Sequence, residues 1–267
     1  MKDTSVFHKI INTIASFFSK KTEASDTEDL KDRPQRLSER TPVDYSEFRP
    51  WRLNDKRFSH LKLLGEWVLY FTMYTLTEKL IPESSCHVVH CALDDIIPFN
   101  EFFLIFYCAW YFWIGLTLIH YLVYDIDAFK KLQTFFIIVQ LTAMIIYIIY
   151  PTMQDLRPES FVRDNILTRV MAGIYSIDTP TGVCPSLHVA YSIGIAESWV
   201  RNRNYSKTWK VLMVILCVLV SVSTLFVKQH SVIDLITAIP LAAVADFLLY
   251  EKIGGRQPVL QKLIDRI

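Results

Sequence analysis

Two histidines stand where chemistry is possible. His188 lies in Cys184-Pro185-Ser186-Leu187-His188, and His230 in Lys228-Gln229-His230-Ser231-Val232-Ile233-Asp234, each at the mouth of an apolar segment. Polar and ionisable groups at a membrane segment are expensive and by default mark function. His230 and Asp234 are four apart, so a helix starting near His230 places both on one face. A carboxylate accepting from one imidazole nitrogen fixes the tautomer and leaves the other nitrogen free to attack. Lys228 offers a compact charge for a phosphate oxygen. Pro185 suits a first helical turn, which leaves the amides of Ser186, Leu187 and His188 as unpaired donors and an anion site. Arg157, in Tyr150-Pro151-Thr152-Met153-Gln154-Asp155-Leu156-Arg157-Pro158, adds the planar fork that matches phosphate.

Taken in order, Arg157-Pro158, Pro185-Ser186-x-His188 and Ser223-x(6)-His230-x(3)-Asp234 resemble the motifs of the type 2 phosphatidic acid phosphatase (PAP2) superfamily, over about residues 61–251. The resemblance implies that His230 is the nucleophile of a phosphohistidine, with Asp234 orienting it and His188 protonating the leaving oxygen. It implies that Ser186, Arg157 and Lys228 cradle the phosphoryl group, with no metal or cofactor. Tyr150 stands where the family usually has lysine, Leu187 where it has glycine and Thr224 where it has arginine. Tyr150 and Thr224 are therefore counted with the substrate-binding positions, and Lys228 as the replacement for the arginine. Leu187 and the Ser223-Thr224 pair are similar to the inositol phosphorylceramide synthase branch, whose members transfer a phosphorylated headgroup.

These groups need apolar elements to hold them. With 52% hydrophobic and 13% aromatic residues in 267, the chain is too apolar for an ordinary soluble domain. Six segments, near 62–82, 101–124, 131–150, 184–200, 208–227 and 230–250, approach the length of roughly 20 residues that spans a bilayer. The expected fold is an all-α integral membrane protein, a six-helix bundle of PAP2 type over 61–251 with a cytosolic region 1–60 and tail 252–267. Glu66, Glu78, Lys79 and Glu197 mark the first and fourth segments as facing protein rather than lipid. Lysine and arginine placement puts both termini in the cytosol and all three motifs on the non-cytosolic face.

Outside the bundle, residues 6–18 have helical apolar spacing that suits a membrane-surface helix or one docked on the protein. Residues 22–47 have the composition of a disordered linker, and Trp51 and Trp67 suit interface anchors. Residues 159–178 read as an interfacial helix roofing the site, and 179–183 as a turn. Cys86, His87, His90 and Cys91 have zinc-ligand types but lack paired spacings, so an ordinary loop is favoured over a metal site. A Cys86–Cys91 disulfide is open on an oxidising face, and Asp94 and Asp95 read as substrate contacts or solvated charges. His120 reads as a structural hydrogen-bonding residue, and Asp246 as an interfacial carboxylate near the cytosolic end.

With a net charge of +1 and no basic stripe, nothing points to nucleic acid. The expected function is a metal-independent lipid phosphate phosphatase of the membrane, acting on a lipid phosphate or phospholipid. The alternatives are a phosphotransferase moving a phosphorylated headgroup onto a lipid or polyol, and a non-catalytic lipid-binding or transport protein.

Overall fold

A computed structural model describes residues 40–251 and 258–266. The anticipated surface helix at 6–18 and most of the anticipated linker lie outside the described residues. The described part is mostly helical, with one parallel pair of two-residue strands, β1 (His87–Val88) and β2 (Thr152–Met153). Its helices are α1 (Gly65–Leu80), α2 (Ala92–Ile96), α3 (Leu104–Tyr124), α4 (Ile126–Ile149), α5 (Ile166–Ile177), α6 (Leu187–Arg201), α7 (Lys207–Phe226), α8 (Val232–Tyr250) and α9 (Gln261–Arg266). All six anticipated segments are helical. Four helices, at 101–124, 126–149, 207–226 and 232–250, are long and apolar enough to cross a membrane.

The other two are short for a physical reason. α6 has 15 residues, about 22 Å at 1.5 Å per residue against a hydrocarbon core of about 30 Å. It sits in the middle of the bundle, packed on α3, α4, α7 and α8, and every residue in it except His188 and Arg201 is buried. Close approach to α4 requires Gly194, where an added Cβ would lie 2.3 Å from the Phe135 ring. On α8, small residues recur on one face, Ala238, Ala242 and Ala245, all fully buried. Glu197 does face protein, as its charge demands: Arg201 donates to it at 3.0 Å and to Asp246 at 2.9 Å. α1 has 16 residues and is continued backward by a 3-10 turn, Ser59–Leu64.

Two expectations outside the bundle are corrected. Residues 40–47 are held rather than free, because Val43 donates its amide to the Val123 carbonyl and Tyr45 bonds to the Leu122 carbonyl and His60. Trp67 is not an interface anchor. Its ring packs edge-on against Phe136 and Tyr191 inside the bundle, while Trp51 is exposed. Of the anticipated tail, α9 folds back on α4, with Ile264 buried.

Candidate active site

The two motifs that carry histidine meet because each begins a helix at the same end of the bundle. α6 starts at Leu187, two residues later than Pro185 as the first helical residue would set it. Ser186 is the N-cap, its hydroxyl accepting from the Val189 amide, as serine favours. The Ser186 amide is not an unpaired donor; it bonds to the Asp234 carbonyl at 3.1 Å and ties α6 to α8. First-turn donors pointing outward therefore begin at Leu187 and His188.

α8 likewise starts at Val232, not at His230. Ser231 caps it, and Asp234 returns the bond to the Ser231 amide at 3.0 Å, closing a capping box. The same Asp234 oxygen bonds to His230 Nδ1 at 3.1 Å. His230 thus keeps its partner although it precedes the helix, because the box fixes the carboxylate over the N-terminus. The opposite nitrogen, Nε2, lies 3.3 Å from His188 Nδ1. His188 packs against Tyr107 and Trp110 of α3, with ring centroids 4.8 and 4.2 Å away. Its own Nε2 is buried and has no hydrogen-bond partner. Asp234, His230 and His188 form a continuous line of three ionisable groups, in which Asp234 fixes the His230 tautomer and His188 faces its other nitrogen.

Both histidines line a cavity of about 720 Å³ between α1 and α3, within the range of roughly 300–1,000 Å³ usual for ligand sites. Its walls are mostly aromatic. Its polar end adds Glu78, Asp178, Thr179 and Gln229. Asp178 accepts from the Tyr74 hydroxyl at 3.0 Å and from Gln229 at 3.1 Å, and burial pushes its carboxyl above the usual range. Glu78 accepts from the Thr179 hydroxyl at 2.7 Å.

The remaining sequence candidates are placed differently. Arg157 is close, but its guanidinium is held by the carbonyls of Tyr175, Asp178 and Thr179 and by Gln229, the last at 2.7 Å. It stacks 4.6 Å from the Tyr175 ring and clamps the anticipated roof, α5, to the α7–α8 link. Lys228 points elsewhere. Its ammonium donates to the Asp94 carbonyl at 2.7 Å, and burial lowers its pKa although Asp94 and Asp95 oppose the shift. Thr224 is fully buried. Its hydroxyl turns back to the Ser221 carbonyl, and its own carbonyl accepts the amides of Gln229 and His230, so it shapes the turn and does not line the cavity. Tyr150 stacks on His87, 4.2 Å between centroids, in a second groove of about 640 Å³ between α4 and α8. It is separated from the histidine pair, because β2 begins directly after it and draws the chain to β1.

Asp94 is not a solvated loop charge, and it does not line the cavity. It is buried, and its carboxylate accepts from the Ser231 hydroxyl at 2.6 Å, the Val232 amide at 2.9 Å and the Cys91 amide at 2.8 Å. Negative charge at that N-terminus is favoured by the free amides and the helix dipole. Asp95 pairs with His90 at 2.9 Å, whose other nitrogen meets Asp155 at 3.0 Å. Cys86 and Cys91 are free thiols. Among the described residues no group of three or more potential ligands is placed to hold a metal ion. Three contributors escaped the sequence reading. The Ser231-x-x-Asp234 box was signalled by its spacing, whereas Asp178 and Trp110 carry no local signal. No protein-family model, curated protein or solved structure matches this chain.

Proposed function

We propose that the protein is an integral membrane enzyme that removes a phosphoryl group from a lipid phosphate through a phosphohistidine. The observation that carries this reading is the position of His230, held by Asp234 at Nδ1 and meeting His188 at Nε2. In the first step His230 Nε2 attacks phosphorus, replacing its contact with His188, and the ester P–O bond breaks. His188 gives a proton to the departing alkoxide. In the second step water attacks the phosphohistidine, its proton passes to His188, the N–P bond breaks and phosphate leaves. Asp234 holds the tautomer and the charge that forms on His230.

Charge on the phosphoryl group falls to the first-turn amides of α6 and to Arg157. Arg157 does not line the cavity but holds Gln229, which does, at 2.7 Å, and it takes up that charge by exchanging carbonyl partners for phosphate oxygens. Both termini are assigned to the cytosol and the site to the opposite face. The histidine pair sits at one end of the helices, while Lys130, Lys131, Arg201, Lys207 and Lys210 sit at the other, which favours the cytosol for that end.

Transfer of a phosphorylated headgroup to a polyol or lipid is the second reading. It is favoured by the Glu78 and Asp178 carboxylates and the Thr179 and Thr181 hydroxyls beside the histidines, acceptor-type groups suited to hydroxyl-rich ligands. The deciding experiment gives purified wild-type and His230→Ala protein labelled phosphatidate, prenyl diphosphate and phospholipids, with and without polyol and lipid acceptors. Free phosphate from the wild type supports the phosphatase. Label in a new lipid supports transfer. The absence of any His230-dependent product sinks both and leaves lipid binding without catalysis.

A further inference from the structure

The phosphoryl scheme uses only one end of the α1–α3 cleft. The cleft continues along both helices, and its walls have helical spacing. On α3 they are Tyr107, Trp110, Tyr111, Ile114, Gly115 and Leu118, which share one face at steps of three and four. On α1, Trp67, Tyr70, Phe71 and Tyr74 repeat the pattern. Two such faces ordinarily pack together and exclude space. Here they stand apart, and the rim residues Phe71 and Tyr111 are 60% and 55% exposed. They are continuous with the apolar outer faces that carry Leu69 on α1 and Phe112 and Leu116 on α3. In a membrane those faces meet acyl chains.

Gly115 is the unusual wall residue. A glycine in a helix interior weakens it, so it calls for a reason. Gly194 has one, the Phe135 ring. Gly115 has no such neighbour: an added Cβ would meet nothing within 4 Å. What the missing side chain leaves open is the cleft itself. Gly115 lies five residues beyond Trp110, about 7 Å along the axis, on the path of a chain whose phosphate is at His188.

We infer that the α1–α3 cleft seats the hydrocarbon chain of the substrate, reached sideways from the bilayer, and that Gly115 keeps the passage open for long chains. This rests on the lipid-phosphate reading above. Gly115→Phe puts a ring into the passage, and Gly115→Ala adds one methyl to open space as a control that also favours the helix.

The test compares phosphate release from a short-chain and a long-chain phosphatidate in detergent. Gly115→Phe is expected to lose at least about tenfold in kcat/KM on the long chain and to stay within about twofold on the short one. Gly115→Ala is expected to match the wild type on both. Equal effects of Gly115→Phe on both substrates, or no effect, overturn the inference. Where Gly115→Phe fails to fold, judged by its elution and thermal unfolding, Gly115→Leu takes its place. A second arm does not depend on turnover: a phosphatidate with a diazirine in its chain is photo-crosslinked to wild type and variant. Label on α1 and α3 peptides that is lost in Gly115→Phe supports the cleft even if the wild type releases no phosphate, an outcome that rejects only the phosphatase reading. Label elsewhere, or label indifferent to the substitution, rejects the cleft itself.

Discussion

Lys228 donates from Nζ to the carbonyl oxygen of Asp94 at 2.7 Å, and does so from a left-handed backbone with φ of 53°. A side chain in that region carries a penalty of about 1–2 kcal/mol that glycine escapes. The penalty buys the tight link between α7 and α8, which places His230 two residues later. Lys228→Ala and Lys228→Gly both remove the ammonium, but only the glycine variant relieves the backbone. Lys228→Gly should therefore be the more stable of the two by about 1 kcal/mol in thermal unfolding. Because Lys228 bonds to protein and does not line the cavity, either variant should lose less than about tenfold in kcat. A much larger loss would return it to the phosphate cradle.

Asp94 anchors the same helix start from a distant part of the chain. Asp94→Ala strands the Ser231 hydroxyl and the Val232 and Cys91 amides, and should cost about 3 kcal/mol in thermal stability. Asp94→Asn keeps one acceptor oxygen and should cost less. If Asp94 contacted substrate instead, KM would rise while the melting temperature held.

Asp234→Asn tests the tautomer. The substitution keeps the shape but cannot accept from His230 Nδ1 and cap Ser231 through one negative oxygen. Phosphate release should fall by about a thousandfold or more, with a far smaller change in unfolding temperature. Near-normal turnover would show that Asp234 only caps α8.

His90 carries a pH signature. Its bonds to Asp155 and Asp95 raise its pKa above the usual 6.5. The pairing stabilises the fold fully below the unfolded value and fades as pH rises through the higher folded one. His90→Gln should lower the melting temperature at about pH 6 and leave it unchanged at about pH 9. A loss of equal size at both would mean the ring matters only as a spacer between β1, α2 and the loop after β2.

Much of this arrangement could be read in advance, and the failures share a cause. The helices were legible because apolar runs of membrane length have few other solutions. The His230–Asp234 pair was legible because four-residue spacing survives a helix start that moves by two. The carbonyl partners of Arg157 at 175, 178 and 179 belong to a turn whose path no residue type announces. Lys228 and Asp94 are separated by 134 residues, so neither could declare the other. Thr224 and Tyr150 were placed by the positions they occupy in a motif. Their contacts, a backward hydroxyl bond and a stack on His87, answer to local geometry instead. The α1 aromatics did carry a signal, recurring at three and four residues, but spacing alone cannot say whether such a face meets protein or empty space.

The enclosure of α6 has a consequence for how the protein is made. A segment of 15 residues with Glu197 near its end is a poor substrate for insertion by itself, since a carboxylate in hydrocarbon costs about 2.5–3.5 kcal/mol at a helix centre on insertion scales. Its partner for that charge is Arg201 of the same helix, and its buried surface is covered by α3 and α4, synthesised before it, and by α7 and α8, synthesised after it. α6 is therefore fully enclosed only when α7 and α8 have emerged, and the helix that delivers His188 is secured together with the one that delivers His230. Truncation after α7 should leave α6 accessible to aqueous thiol labelling at a cysteine introduced in its middle, whereas the full chain protects it.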